Sequence, residues 1–140
     1  ATFQRLGQFM TEELFTVRPD DLLDLAASIM DWKNVRHVPV ENDEGVIVGL
    51  ISHRDILRVV SKGRNNKSDP TAVKDVMLEN PITAAPDTLT VDAIRIMRKN
   101  KLSCLPVVDK GKLVGIITER DLINVAGKLL EDYLDKYNET

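Results

Sequence analysis

The feature that most constrains this chain is an internal repeat that covers nearly all of its 140 residues. When the sequence is shifted by 67 positions, and by 66 after one extra residue in segment 42–45, the two halves align. The matched pairs include Met10 and Met77, Thr16 and Thr83, Pro19-Asp20 and Pro86-Asp87, Ile29-Met30 and Ile96-Met97, Pro39-Val40 and Pro106-Val107, and Arg54-Asp55 and Arg120-Asp121. A duplication of this kind predicts two similar units that pack together.

Each copy predicts the same order of elements, β-α-β-β-α. A short lead-in, which ends at Met10 in the first copy and at Met77 in the second, comes first. A Thr-x-x-Pro-Asp segment follows, and its Asp is predicted to open a helix. Apolar residues then recur at i, i+4, i+7 and i+8, which places them on one helical face. These residues are Leu22, Ala26, Ile29 and Met30 in the first copy, and Leu89, Ala93, Ile96 and Met97 in the second.

Two short apolar runs separated by a glycine-containing turn follow in each copy and predict a β-hairpin. The predicted strands are Arg36–Val40 with Val46–Ile51, and Ser103–Val108 with Lys112–Ile117. A second helix is expected to begin at His53 and at Glu119. The predicted fold class is therefore α+β, with two tandem pseudo-two-fold repeats packed through their sheets.

The predicted organisation is a first repeat at 1–62, a linker at 63–72 and a second repeat at 73–140 with an extended C-terminal helix. A repeat of roughly 55 residues is marginally stable alone, so two copies are expected to share a core. The apolar stripe of the last helix has two interpretations. It either covers the core or contacts another chain or domain.

Composition excludes several function classes. The chain carries 19 basic and 22 acidic residues, and neither half is basic, which argues against a nucleic-acid partner. One cysteine and two histidines exclude a disulfide framework and give no metal-ligand set. Apolar runs are too short to span a membrane, and no signal peptide is visible, so we expect a cytoplasmic protein. No motif supports a catalytic residue, and we expect no enzyme activity.

The most informative motif lies where each hairpin meets its second helix. Both copies read Gly, two apolar residues, Ser or Thr, any residue, Arg and Asp, ending at Asp55 and Asp121. One interpretation is a helix capping box, with Ser52 or Thr118 as the N-cap. The other is a binding site, because a carboxylate can hold a ribose diol and a hydroxyl with free helix amides can hold phosphate. The glycine, with no side chain, would let another group approach the strand closely.

These motifs, in order and twice, resemble a pair of CBS domains, the module named after cystathionine β-synthase. The resemblance runs from about Gly7 to Ala126. It implies two clefts between the copies that bind an adenosine compound such as AMP, ADP, ATP or S-adenosylmethionine. It also implies association into a homodimer and regulation of a partner domain or chain. The adenosine compound would be a regulatory ligand and not a catalytic cofactor.

The resemblance also implies roles for individual residues. Asp55 and Asp121 match the ribose-binding acid, and Ser52 and Thr118 match the adjacent hydroxyl. The remaining expected contacts are the adenine-edging segments Thr16-Val17 and Thr83-Ala84, the apolar walls Val38-Pro39 and Leu105-Pro106, and the basic residues Arg36, His37, Arg54 and Arg120. Because Ser103 and Cys104 replace Arg36 and His37 in the second copy, we expect two clefts of unequal affinity. The alternative hypothesis is a structural dimerisation module with empty clefts.

Overall fold

The computed structural model describes residues 3–138, and within that range it contains helices and short antiparallel sheets. The helices are α1 (Leu23–Lys33), α2 (His53–Ser61), α3 (Thr90–Asn100) and α4 (Glu119–Asn138), with 3-10 turns at Leu6–Gln8 and Val73–Asp75. The strands are β1 (His37–Glu41), β2 (Ile47–Ser52), β3 (Leu78–Glu79), β4 (Cys104–Asp109) and β5 (Lys112–Thr118). The α+β prediction is confirmed, and α2 and α4 begin at the predicted residues.

Both predicted hairpins form, with strand ends displaced by about one residue. β1 pairs antiparallel with β2, which places His37 opposite Ser52, and β3 adds to the free edge of β2. β4 and β5 form the second sheet. Each hairpin therefore delivers the chain directly to the first turn of α2 or α4, where the shared motif lies.

The first helix of each copy begins later than the sequence predicts. α1 and α3 start at Leu23 and Thr90, with Leu22 and Leu89 as N-caps, so the predicted helix-opening aspartates lie in the preceding turn. In the first copy, the carboxylate of Asp21 accepts a hydrogen bond from the Arg18 amide at 2.7 Å. Leu22, the N-cap, is half exposed, and Leu23, the first helical residue, is buried.

Contacts divide the chain into two compact units that are not simply the two halves of the sequence. Unit 1 contains the lead-in through Glu12 together with 83–108 and the chain from 114 onward, whereas unit 2 contains 13–82 and 109–113. In unit 1 the Thr11 amide donates to the Ile116 carbonyl at 3.0 Å, and the Ile116 amide donates to Thr11 at 2.9 Å. Each lead-in thus packs with the other copy's hairpin. The repeat boundaries drawn along the sequence stay a prediction, and their outermost residues, 1–2 and 139–140, lie outside the described residues.

Each unit has its own aliphatic core. In unit 2 the buried residues are Val17, Leu23, Ala26, Met30, Val38, Val40, Ile51, Val59 and Val73. In unit 1 they are Leu6, Ala93, Met97, Leu105, Val107 and Ile117. Ala26 and Met30, with Ala93 and Met97, confirm the predicted apolar faces. The cores fix the ends of β2 and β5, and hence the positions of the two helix starts.

Candidate functional site

The first candidate site is the start of α2. The Ser52 hydroxyl accepts from the Asp55 amide at 3.2 Å, and Asp55 Oδ2 accepts from the Ser52 amide and hydroxyl at 2.9 Å each. This is a complete capping box, as the capping interpretation predicts. Asp55 Oδ1 receives no hydrogen bond from Ser52; instead the guanidinium of Arg58 lies 3.6 Å from it.

The start of α4 repeats this geometry with one addition. Asp121 Oδ2 accepts from the Thr118 amide at 2.9 Å and from the Thr118 hydroxyl at 3.1 Å. The added donor is the Thr11 hydroxyl, which lies 3.0 Å from Asp121 Oδ1 and 3.2 Å from Oδ2. An ionised carboxylate has about four acceptor positions, so Asp121 has fewer left for a ligand than Asp55.

Neither Arg58 nor Thr11 was among the residues expected from the sequence. Each breaks the repeat, because Asn124 replaces Arg58 in the second copy and Leu78 replaces Thr11 beside the first. The signal that could have identified Arg58 is its position three residues after Asp55, on the same helical face.

The motif glycines have a structural explanation. A Cβ on Gly115 would lie 2.5 Å from the sulfur of Met10, and a Cβ on Gly49 would overlap the sulfur of Met77. The group that approaches each strand closely is therefore a methionine of the chain itself, from the lead-in packed in the same unit. The expected close approach to each strand is therefore made by a methionine, and the glycine gives no separate support for a ligand there.

The segments expected to edge an adenine lie beside the first strand of each hairpin. The Val17 amide donates to the Pro39 carbonyl at 3.1 Å, and the Ala84 amide donates to the Pro106 carbonyl at 2.9 Å. The Val17 carbonyl accepts a hydrogen bond from the Glu41 amide at 3.0 Å, and the Ala84 carbonyl accepts one from the Val108 amide at 2.8 Å. Thr16 is half-buried and its hydroxyl donates to Glu41 at 2.8 Å, whereas Thr83 is exposed.

The four residues of the expected apolar walls are all buried. Val38 and Leu105 belong to the cores of their units and have no exposed surface. Pro39 and Pro106 follow them, and alternate strand residues point to opposite faces. Pro39 and Pro106 therefore point to the strand face opposite Val38 and Leu105.

Arg36 lies in unit 2 next to the start of α2, since its carbonyl accepts a hydrogen bond from the His53 amide at 2.9 Å. The Arg36 residue is exposed and His37 is half-buried. Ser103 takes the equivalent place beside α4, accepting from the Glu119 amide at 3.2 Å. Unit 2 therefore carries the basic residues at this end of its sheet, and unit 1 carries neutral ones. Arg54 and Arg120 are both exposed in the first helical turns.

Two further groups near the helix starts are buried. Nδ1 of His53 is buried without a hydrogen-bond partner. The Cys104 thiol is 3% exposed, and burial, followed by the negative charge of Asp121, raises its pKa to about 12. A thiol with so high a pKa stays protonated at neutral pH and is a poor nucleophile.

A cavity of about 260 Å³ lies within unit 1 along one face of α4. Its lining residues are Phe3, Phe9, Asp121, Asn124, Val125 and Lys128. Asp121 and the residue that replaces Arg58 therefore face the same open space. Among residues 3–138, no cluster of three or more His, Cys, Asp or Glu side chains could hold a metal ion. No helix in that range is long and apolar enough to cross a membrane.

Comparison with known proteins identifies the family. The sequence model of the CBS domain matches residues 6–62 and 73–128, one match for each copy. The chain belongs to the CBS domain family. A CBS domain-containing protein of Dictyostelium discoideum is 32% identical over 133 residues, which cover 89% of this chain and 92% of the relative. The chain also matches inosine-5'-monophosphate dehydrogenase of Methanocaldococcus jannaschii at 31% identity, but spans only 23% of that enzyme's length.

Solved CBS structures have the same fold. A putative acetoin utilization protein of Vibrio cholerae is 30% identical with a TM-score of 0.84, covering 94% of this chain and 97% of that one. CBSX2 in complex with AMP is 31% identical with a TM-score of 0.78, covering 90% and 98%. The CBS domain pair of protein MJ0100, in complex with 5'-methylthioadenosine and S-adenosyl-L-methionine, is 25% identical with a TM-score of 0.80, covering 90% and 98%.

Proposed function

We propose that this CBS pair is a regulatory module that binds an adenosine compound and passes its occupancy to a partner domain or chain. The observation that carries the proposal is the pair of carboxylates at the starts of α2 and α4. Each is fixed by its own Ser or Thr, and Asp55 keeps Oδ1 unused by that cap. CBSX2 binds AMP and the MJ0100 pair binds two adenosine compounds, which supports the ligand class.

In this proposal the capping and binding interpretations are compatible. The cap holds each carboxylate in one orientation. The entropy lost by fixing these side chains is therefore lost on folding and does not weaken ligand binding. Asp55 and Asp121 accept the ribose hydroxyls. Ser52 and Thr118 lie beside them, with Arg54 and Arg120 available for charged groups of the ligand.

The base would be held by segments further along each unit. Because the backbone amide and carbonyl groups of Val17 and Ala84 are paired with strands, adenine would contact the adjoining Thr16 and Thr83. Pro39 and Pro106 would supply the apolar wall, since they point to the strand face opposite the core residues Val38 and Leu105. Arg36 would add positive charge near Asp55 only.

Regulation would act by linkage, with no chemical turnover. A ligand that binds one conformation or assembly better than another shifts the equilibrium by its differential affinity. The dehydrogenase relative contains a segment like this chain within a much longer enzyme, as expected for a module that acts on a partner domain. For this chain the regulated partner is either a fused domain or a separate chain.

The direct test is ligand-dependent stability. A compound that binds only the folded chain adds about 2.7 kcal/mol at 100 times its dissociation constant. Melting curves with AMP, ADP, ATP, S-adenosylmethionine and adenosine should show a rise of several degrees for at least one compound. Absence of any shift at millimolar concentrations, confirmed by calorimetry, would contradict the proposal.

A second candidate function is a structural dimerisation module. It is favoured by the exposed apolar residues of α4, which are Ile123, Leu129, Leu130, Tyr133, Leu134 and Tyr137. Residues 130, 133, 134 and 137 follow the i, i+3, i+4, i+7 spacing of one helical face. We propose that a second copy covers this face, giving a homodimer. Sedimentation should show twice the monomer mass, and Tyr133→Glu should yield monomers while Glu131→Lys should not.

A further inference from the structure

We propose that position 58 and its counterpart 124 decide which of the two sites recognises phosphate. Arg58 makes the Asp55 site selective for a phosphorylated adenosine compound, whereas Asn124 supplies no such contact at the Asp121 site. This inference rests on the proposed function, since it assigns different ligands to the two sites that the function requires.

The first step is the position of the Arg58 guanidinium. Its Nη1 lies 3.6 Å from Asp55 Oδ1, the carboxylate oxygen that the Ser52 cap leaves unused. The Arg58 side chain is 63% exposed, and exposed ion pairs of this kind contribute little stability. A ribose hydroxyl can therefore replace Arg58 at Oδ1 at small cost, which releases the guanidinium within reach of the ligand.

The second step is what the released guanidinium can bind. A guanidinium presents a planar set of N–H donors that matches the oxygens of a phosphate group. A nucleotide carries its phosphate on the same ribose that Asp55 would hold. AMP would thus displace Arg58 from Asp55 and bind its guanidinium through the phosphate. Adenosine would displace Arg58 but has no phosphate to bind it.

The third step is the comparison between the copies. Asn124 occupies the same position in α4 and lines the cavity beside Asp121, so a side chain there faces the carboxylate's open side. Its amide carries no charge to pair with phosphate. Arg54 and Arg120 match each other, so they cannot distinguish the sites. Lys128 also lines the cavity beside Asp121, whereas its counterpart Lys62 is the C-cap of α2.

The Asp121 site differs in a second way that has the same direction. The Thr11 hydroxyl already donates to Asp121 at 3.0 Å, without adding any charge. Thr11 therefore adds no attraction for phosphate at the Asp121 site. Arg36 also adds positive charge near the start of α2. Its effect can be separated from that of Arg58, because Arg36 is unchanged in the variants compared below.

The test uses variants that keep one site each. Asp121→Asn leaves the Asp55 site, and Asp55→Asn leaves the Asp121 site; Asn preserves the shape of the carboxylate, and Ala versions serve as a second set. AMP and adenosine are titrated into each by calorimetry. Arg58→Asn is then added to the first variant and Asn124→Arg to the second.

We expect Arg58→Asn to lower the ratio of AMP to adenosine affinity about tenfold or more and to reduce its salt dependence. Arg58→Lys, which keeps the charge, should retain part of the ratio. Asn124→Arg should raise the ratio at the Asp121 site by a similar factor. Far-ultraviolet circular dichroism checks that each variant is folded.

The failure of this inference differs from failure of the proposed function. If both sites bind adenosine compounds but neither exchange alters the affinity ratio, the assignment of Arg58 and Asn124 is wrong and the function stands. If the unmodified chain binds neither AMP nor adenosine, the proposed function is wrong and this inference falls with it.

Discussion

The Thr11 hydroxyl lies 3.0 Å from Oδ1 of Asp121, a residue 110 positions further along the chain. The hydrogen bond joins the first lead-in to the start of α4 inside unit 1. The Asp121 carboxylate is therefore held in part by the first lead-in, which the repeat pattern assigns to the other copy.

This relationship predicts a stability effect of Thr11→Val. The substitution keeps the shape of the side chain and removes the hydroxyl, so the free energy of unfolding should fall by about 1–2 kcal/mol. Urea denaturation measures this change. Leu78→Ala, at the matching and exposed position, is the control and should change stability by less than about 0.5 kcal/mol. If both variants lowered the free energy of unfolding by the same amount, the hydrogen bond from Thr11 to Asp121 would not be a specific source of stability.

The close approach of methionine to the motif glycine predicts a steric effect. Gly115→Ala places a Cβ against Met10, so it should destabilise the chain by about 1–3 kcal/mol. Adding Met10→Ala should recover part of the overlap cost, which a double-mutant cycle would detect. Gly127→Ala is the matched control. It lies in α4 with nothing within 4 Å of the added Cβ, and should stabilise the helix by up to about 1 kcal/mol.

The buried Cys104 thiol predicts a pH dependence of stability. Its folded pKa, raised to about 12, lies above the ordinary value of 9.0, so the folded chain retains a proton that the unfolded chain loses. Stability should therefore fall as the pH rises from about 9 towards 12, by at most about 1.4 kcal/mol per pH unit from this group. Urea denaturation of the wild type and of Cys104→Ala across this range measures the difference. Identical slopes for the two proteins would contradict the burial argument.

The sequence predicted the features that both copies share. The hairpins, the starts of α2 and α4, and the buried faces of α1 and α3 all follow from patterns that occur twice. The helix starts were well placed because a Ser or Thr with Asp three residues later is a local signal. The starts of α1 and α3 were placed too early, since Asp20 and Asp87 open a turn and no side chain caps the helix itself.

The features missed are those in which the copies differ or in which distant segments meet. The exchange of lead-ins leaves no local pattern, because Thr11 and Ile116 pair through backbone groups that every residue possesses. The glycine in each motif predicts the close approach of another group, but nothing in the local sequence identifies that group as a methionine of the lead-in. The repeat gives no signal for Arg58, because Asn124 replaces it in the second copy.

The central claim is that Asp55 and Asp121 hold the ribose of an adenosine compound. The most direct measurement is calorimetric titration of AMP and adenosine into the double variant Asp55→Ala, Asp121→Ala, beside the unmodified chain. The account predicts binding to the unmodified chain and none to a folded double variant, even if loss of the two caps lowers stability by about 0.5–2 kcal/mol each. Unchanged affinity in the folded double variant would contradict the account.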